Sequence, residues 1–198
     1  MNPKASKKRE MILDAAMKSI LEHGYRKTTL EDIAGELGLT KTALYYYFKS
    51  KDDLVLALAD RQLITLLEDQ KKILELDKDI MDRLCDIIDY KADFTDKVTS
   101  SYKNIFEEIF EIVPFLRNRI IEHTSQSINM IIQYMEKAWE GKKPPVNIPA
   151  FSAFFEFSHQ VFGMKLYAKL SNEGLACSTE EFVIEIKNII RKALTQND

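Results

Sequence analysis

The stretch TTLEDIAGELGLTKTALYYYFKSK, Thr28 to Lys51, decides how the rest of this 198-residue chain is read. Leu30, Ile33, Ala34 and Leu37 fall at i, i+3, i+4 and i+7, the spacing that puts four apolar side chains on one helical face. Thr28 with Glu31 three residues on has the pattern of a capping box, so the helix is expected to begin at Thr28. Gly38 ends it, Leu39 plugs the turn, and Thr40 is placed to cap a second helix. On that second helix Leu44 and Phe48 share the inner face. At about 100° per residue, Tyr46 points opposite their midpoint, Thr42, Ala43 and Lys49 lie toward the same outer side, and Tyr45 and Tyr47 flank it. Three rings beside lysines on an outward face require a flat or anionic partner. A helix laid in the DNA major groove supplies one: rings and methyls reach thymine methyl groups, ammoniums and hydroxyls reach phosphates, and Thr42 reaches base edges. The competing reading of an isolated YYY triplet is ordinary packing in a helical hairpin.

Working outward, a first helix is expected from about Lys7 to Glu22, with Ile12, Ala16 and Ile20 at i, i+4 and i+8 beside Leu13. Gly24 follows as its left-handed terminal residue. On the other side Ser50 with Asp53 starts a longer helix to about Lys72, which at 1.5 Å per residue spans on the order of 33 Å.

The order Ala15-Ala16, Gly24-Tyr25, Thr28-Thr29, Ile33-Ala34, Gly38-Leu39-Thr40, Leu44-Tyr45, Phe48 and Lys51 resembles, without a gap over residues 8 to 58, the DNA-binding head of the TetR family of transcriptional regulators. The resemblance implies roles position by position. Thr29 would sit near a phosphate at a helix amino end, and Lys41, Thr42 and Ala43 would hold the base-reading positions. Tyr45, Tyr46 and Tyr47 would contact backbone or thymine methyls, with Lys49 beside them, and Lys51 would bind phosphate. It also implies that the long helix after Lys51 is a connecting helix whose tilt transmits ligand binding to the head. Two residues depart from the pattern: Thr42 stands where many members have glycine, and Ile20 where phenylalanine is common.

Charge is divided along the chain in the same sense. Residues 1–51 carry ten Lys or Arg against six Asp or Glu, and the remainder 18 against 25, so a +4 head precedes a −7 body within the chain's net −3. A basic end on an acidic body suits a polyanionic partner at that end. The amino-terminal residues from Lys4 lack the apolar core of a signal peptide, and no run approaches the roughly 20 apolar residues of a membrane span; even the Phe-rich stretch near residue 155 is interrupted by Glu156 and His159. A cytoplasmic protein without membrane partners is expected, with Cys85 and Cys177 as reduced, structural thiols.

Glycine and proline are scarce and strand-like alternation is nearly absent, so the fold class expected is all-α: a three-helix head over residues 1–50 and a larger helical body over 51–198, about nine helices in all. In the body, helices are expected over Asp79–Asp96, Ser100–Ile112, Phe115–Trp139 after a break at Pro114, Pro149 to about Ser171 with Asn147 as cap, and from a Ser178/Glu181 capping box to about Leu194. Phe157, Val161 and Met164 form a second apolar stripe on the Phe-rich helix. With Phe182, Val183, Ile186 and Ile190 of the last helix they are expected to pack on a symmetry mate in a four-helix homodimer interface, an arrangement the family resemblance also implies; a monomer covering both stripes is the alternative. Tyr102, Phe106, Phe110, Phe115, His123, Met130, Tyr134, Phe151, Phe155, His159 and Phe162 are candidate lining for a pocket that takes an apolar or aromatic effector, against the reading that they are plain core.

Catalytic signatures do not appear. Asp79, Asp82, Asp86 and Asp89 make an acidic stripe without a histidine, read as a solvated face and not a metal site. No phosphate loop, nucleophile elbow or paired-cysteine spacing is present, so no catalytic residue, metal or cofactor is assigned. The expected function is a dimeric regulator, most simply a repressor, that binds a pseudo-palindromic double-stranded operator and is released by a small effector. Activation stays open, and so does a helical carrier or enzyme that keeps the head as scaffold.

Overall fold

The computed structural model describes the backbone of residues 3–101, 106–158 and 177–195. Every regular element among them is a helix: α1 (Pro3–His23), α2 (Leu30–Glu36), α3 (Lys41–Tyr47), α4 (Lys51–Leu74), α5 (Ile80–Ser101), α6 (Phe106–Ala138), α7 (Ile148–Ser158) and α8 (Thr179–Leu194). Two compact units result, Met1–Ile64 with Ser101–Ile120, and Thr65–Ser100 with Ile121–Asp198, so α4 and α6 each contribute to both.

The seven-residue helices α2 and α3 are too short to persist alone in water. What holds them is a shared core: Ile12, Leu13, Ala16 and Ile20 of α1, Leu30, Ile33 and Ala34 of α2, Leu44 and Phe48, and Leu54, Val55 and Leu58 of α4. Each fully buried Ile or Leu contributes about 1.5–3 kcal/mol, enough for a handful to offset the ordering of a short helix. Gly24 and Gly38, with φ of 88° and 61°, end α1 and α2 in the left-handed region.

The start of α2 differs from expectation. Thr29, not Thr28, is the cap: its Oγ1 accepts from the Asp32 N–H at 3.1 Å and the Asp32 carboxylate accepts from the Thr29 N–H at 3.3 Å. Thr28 is buried, its hydroxyl donating to Gly24 O at 2.8 Å beside Ser19 Oγ at 3.2 Å. Both threonines have an acid three residues on, and burial of the first leaves the second to cap.

In the other unit α5 buries Ile80, Leu84, Ile87 and Ile88, and α8 buries Ile186, Ile190 and Leu194, against Ile131, Met135, Ile148, Phe151 and Phe155. The acidic stripe is not merely solvated: Asp86 pairs with Lys78, Asp82 with Arg191 and Asp89 with Lys187, so two of its carboxylates meet α8. The caps at Asn147 and at Ser178/Glu181 form as the residue types require.

The expected break at Pro114 does not occur, since α6 runs through it. Proline removes one backbone bond and crowds the preceding turn, at a cost of about 3 kcal/mol. Leu116 packs into the first core and Ile131 and Met135 lie in the second, so anchorage on this stretch of helix outweighs that local loss. Eight helices stand among the described residues; of the expected Ser100–Ile112 element, residues 100 and 101 end α5 and 106–112 begin α6. Tyr102, His159, Val161, Phe162 and Met164, and the continuation of α7 to Ser171, lie outside the described residues, as do the side chains of Phe106 and Phe110.

Candidate DNA-reading face

α3 is capped by Thr40, whose Oγ1 accepts from the Ala43 N–H at 3.2 Å. Leu44 and Phe48 are drawn into the core, so the opposite face is displayed: Lys41, Thr42 and Lys49 are exposed, Ala43, Tyr45 and Tyr47 half-buried, and Tyr46 is 74% exposed. Tyr46 and Tyr47 meet edge to face, with centroids 5.3 Å apart and planes at 85°. An aromatic ring this exposed has no packing role in its own unit.

Electrostatics on this face hinge on Glu31, which sequence reading assigned to a cap. Its carboxylate instead contacts Lys41 Nζ at 2.5 Å and accepts from the Tyr45 hydroxyl at 3.5 Å, while Lys41 also lies 5.6 Å from the Tyr45 ring centroid. Bonding to Lys41 holds the Glu31 carboxyl below the ordinary carboxylate range, and the same bond holds Lys41 above the ordinary lysine value. Both groups are in solvent, and exposed pairs are worth little, so Lys41 can exchange this partner for a phosphate or base edge at small cost. The ten-residue separation of Glu31 and Lys41 is not a helical repeat, so no periodicity could have revealed the pair.

The flanks of the face are tied to the core. Lys51 is half-buried; its Nζ donates to Tyr25 O at 2.9 Å and sits 4.2 Å from the Tyr25 ring centroid. Tyr25 in turn donates its hydroxyl to Asp52 at 2.9 Å, and the N–H groups of Tyr25 and Arg26 donate to Glu108 at 2.5 and 3.2 Å. Thr29 is exposed at the amino end of α2.

Of the expected pocket residues, Phe115, His123, Met130, Tyr134, Phe151 and Phe155 have described side chains. Phe151 and Phe155 are stacked, 6.4 Å apart, and buried in the core. Met130 packs at its margin, the Tyr134 hydroxyl donates to Glu75 at 3.2 Å, His123 is half-buried, and Phe115 is 51% exposed. A cleft of about 530 Å³ beside Trp139 and another of about 300 Å³ beside Met11 are lined by other residues.

Ile186 and Ile190 are buried within their own unit, because α8 turns the i, i+4, i+8 row 186, 190, 194 inward; Phe182 and Val183 pack at the edge of that core. The apolar side chains left in solvent on α7 and α8 are Phe154, Phe157, Ile184 and Ile189.

One buried polar cluster was missed. Gln70 of α4, Lys91 of α5, Ser127 of α6 and Glu156 of α7 are all buried. Lys91 Nζ contacts Glu156 Oε2 at 2.8 Å, and Ser127 Oγ lies 2.6 Å from Glu156 Oε2 and 2.9 Å from Gln70 Oε1. A hydroxyl has one proton, so Ser127 donates to one of two acceptors at a time, Glu156 Oε2 or Gln70 Oε1, while the Gln70 amide N–H lies 3.5 Å from Ser127 O. Burial pushes the Lys91 ammonium below the ordinary lysine value, against the opposing pull of Glu156. The one sequence signal was Glu156 itself, a lone charge within IPAFSAFFEFS.

A glycine-turned helix pair on a three-helix core, with the outer face of the second helix left exposed, defines a helix-turn-helix nucleic-acid-binding head. Residues 12–58 match the family model of bacterial regulatory proteins, tetR family. The chain is 31% identical over 133 residues to the uncharacterised helix-turn-helix transcriptional regulator YvdT of Bacillus subtilis, covering 67% of this chain and 63% of that protein. It is 29% identical over 107 residues to the transcriptional activator FasR of Mycolicibacterium smegmatis, covering 54% and 49%. The chain thus spans about half to under two thirds of these relatives' lengths. A crystal structure of a transcriptional regulator from Cytophaga hutchinsonii superposes with a TM-score of 0.74 at 20% identity, over 94% of this chain and 96% of that one, a likeness of fold. Residues 12–58 thus carry the DNA-binding domain of the TetR family of transcriptional regulators.

Proposed function

We propose that this protein is a DNA-binding transcriptional regulator that acts as a homodimer on a pseudo-palindromic operator and is released by a small apolar or aromatic effector. The observation that carries the reading is the outward face of α3, where Thr42 and Tyr46 stand in solvent on a helix whose opposite side is fixed in the core, with Lys49 exposed just past its end. Residues 1–50 form the DNA-reading domain and the chain from 51 the effector and dimerisation domain. Lys41, Thr42 and Ala43 read bases; Tyr45, Tyr46 and Tyr47 contact backbone and thymine methyls; Thr29, Lys49 and Lys51 approach phosphates. Two recognition helices would enter major grooves about 34–36 Å apart, or a multiple of that. The dimer face is assigned to Phe157 with Phe154, Ile184 and Ile189, four large apolar side chains left exposed on neighbouring stretches of one unit.

Repression is the simplest mode: the dimer occludes a promoter, and an effector weakens DNA binding only as far as it prefers the DNA-incompetent arrangement. The test is binding-site selection with the purified protein, repeated with Tyr46→Ala. A palindrome enriched by the native chain, and lost with Tyr46→Ala at unchanged helicity and dimerisation, supports the reading. Failure to enrich any palindrome overturns it. If the dimer neutralises about six to ten phosphates, affinity falls roughly 10³–10⁵-fold between about 50 and 200 mM salt, and a flat response contradicts the groove-bound geometry.

A further inference from the structure

The cleft of about 530 Å³ beside Trp139 lies within the volume range of small-molecule sites, and all of its lining belongs to one compact unit. Ile80, Met81, Leu194 and the half-buried Trp139 supply its apolar surface. Its charged lining is three cations, Lys78, Arg83 and Lys142, against one acid, Asp79.

The chemistry of these four groups is unequal. Lys78 is committed to Asp86 at 2.6 Å, and Asp79 accepts from the Met81 N–H at 2.8 Å. Arg83 donates one Nη to Leu74 O at 2.5 Å, while its Nε is shielded from solvent with no acceptor. Lys142 is exposed and makes no ion pair among the described residues. The nearby Glu75 carboxylate is already engaged by Tyr134 and by Lys71 at 3.7 Å. Two cationic groups, Arg83 and Lys142, therefore line the cleft without a carboxylate of their own beside its apolar wall.

We propose that this cleft is a binding site for an amphipathic carboxylate, with a flat apolar body against Trp139 and Met81 and the carboxylate between Arg83 and Lys142. A carboxylate there can pair with the Arg83 guanidinium and the Lys142 ammonium, and charge-assisted bonds of this kind are about twice as strong as neutral ones. The indole face adds a surface on which an aromatic body stacks. The site needs no part of the DNA-reading face, and so stands or falls separately from the regulator assignment.

Trp139 is the only tryptophan, so its emission reads the cleft directly. The full chain is titrated without DNA with 4-phenylbutanoate, its neutral amide 4-phenylbutanamide and the cation 4-phenylbutylamine, with excitation near 295 nm. A saturable change with the carboxylate is expected, weakened at least about 10-fold for the amide and the amine, since one well-placed charge-assisted bond is worth about 1.4 kcal/mol or more. Lys142→Met, at an exposed position, raises the midpoint about 10-fold; Arg83→Met raises it further. Equal response to carboxylate and amide overturns the proposal, as does an unchanged midpoint in Lys142→Met or no saturation below about 10 mM, where binding would be too weak to matter.

Discussion

Removing one member of the Lys91–Glu156 pair tests the body's internal logic most severely. Both side chains are almost wholly withdrawn from water, 7% and 1% exposed, and 2.8 Å apart. Glu156→Leu keeps roughly the same volume but removes the buried carboxylate that both Lys91 and Ser127 bond. Breaking a buried pair in this way costs about 3–5 kcal/mol, whereas replacing both partners with apolar residues is often neutral or better. Lys91→Met should cost a similar amount, and Lys91→Met with Glu156→Leu should recover most of it, leaving a coupling of several kcal/mol where independent sites would add. For a chain of this size about 2–4 °C of Tm accompanies each kcal/mol, so each single substitution lowers Tm by about 6–20 °C. The assay is urea unfolding followed by Trp139 emission, which sits in the same unit. Single variants that lose under about 1 kcal/mol, or a double variant as unstable as the sum of the two, would refute the reasoning. A pH arm carries a sign. The native Lys91 value lies below its unfolded value of 10.5, so between the two the unfolded chain holds more protons. This residue's contribution to stability therefore grows as pH rises through that window and is lost as pH falls through the native value.

Thiol chemistry should separate the two cysteines, because Cys85 is buried, with desolvation raising its thiol above the ordinary value, and Cys177 is exposed. A thiol-reactive dye on the folded chain should label one site quickly and the second only after denaturation; two fast sites would contradict the packing of α5. Gly38→Ala adds a Cβ that meets nothing within 4 Å, so its whole effect is the left-handed backbone at φ 61°. A loss of about 1–2 kcal/mol is expected in thermal unfolding, and a neutral outcome would mean the turn can readjust. Tyr90, whose hydroxyl donates to Asp69 at 2.8 Å, is held well above the ordinary phenol value of 10.0, first by desolvation and then by that bond. The unfolded phenol ionises first, so stability is fully present below about pH 10 and declines above it. Tyr90→Phe should flatten that alkaline limb, measured as the difference from the native chain; identical limbs would exclude the Tyr90–Asp69 bond as its source.

The head was legible in the sequence because its helices obey short-range rules. Leu30, Ile33 and Ala34 are buried where the 3.6-residue period puts them, Gly24 and Gly38 take the left-handed conformation that few other residues accept, and Tyr46 faces outward as the helical angle requires. The start of α2 was ambiguous for a local reason, since Thr28 and Thr29 each have an acid three residues on and only the burial of Thr28 decides between them. Pro114 misled because a proline's cost is local while the anchorage that outweighs it comes from Leu116 and Ile131 packing on other helices. On α8, Phe182, Val183, Ile186, Ile189 and Ile190 are apolar on more than one side, and hydrophobicity alone does not say which side the chain itself covers. Contacts such as Glu31–Lys41 and Gln70–Ser127, ten and 57 residues apart, carry no periodic signature at all.

The cluster of Gln70, Lys91, Ser127 and Glu156 takes one residue from each of four helices. Apolar surfaces slide past one another with little change in contact, and a body held by leucine and isoleucine alone would accept α4 at several neighbouring settings. Hydrogen bonds of 2.6 and 2.9 Å do not slide: a shift of more than a few tenths of an ångström stretches them, and only a whole helical turn, about 5.4 Å, brings an equivalent side chain to the same place. The cluster therefore acts as a key that admits one register. Displacement of this part of α4 against its neighbours would be a discrete jump between settings, with no continuous slope of intermediate positions between them.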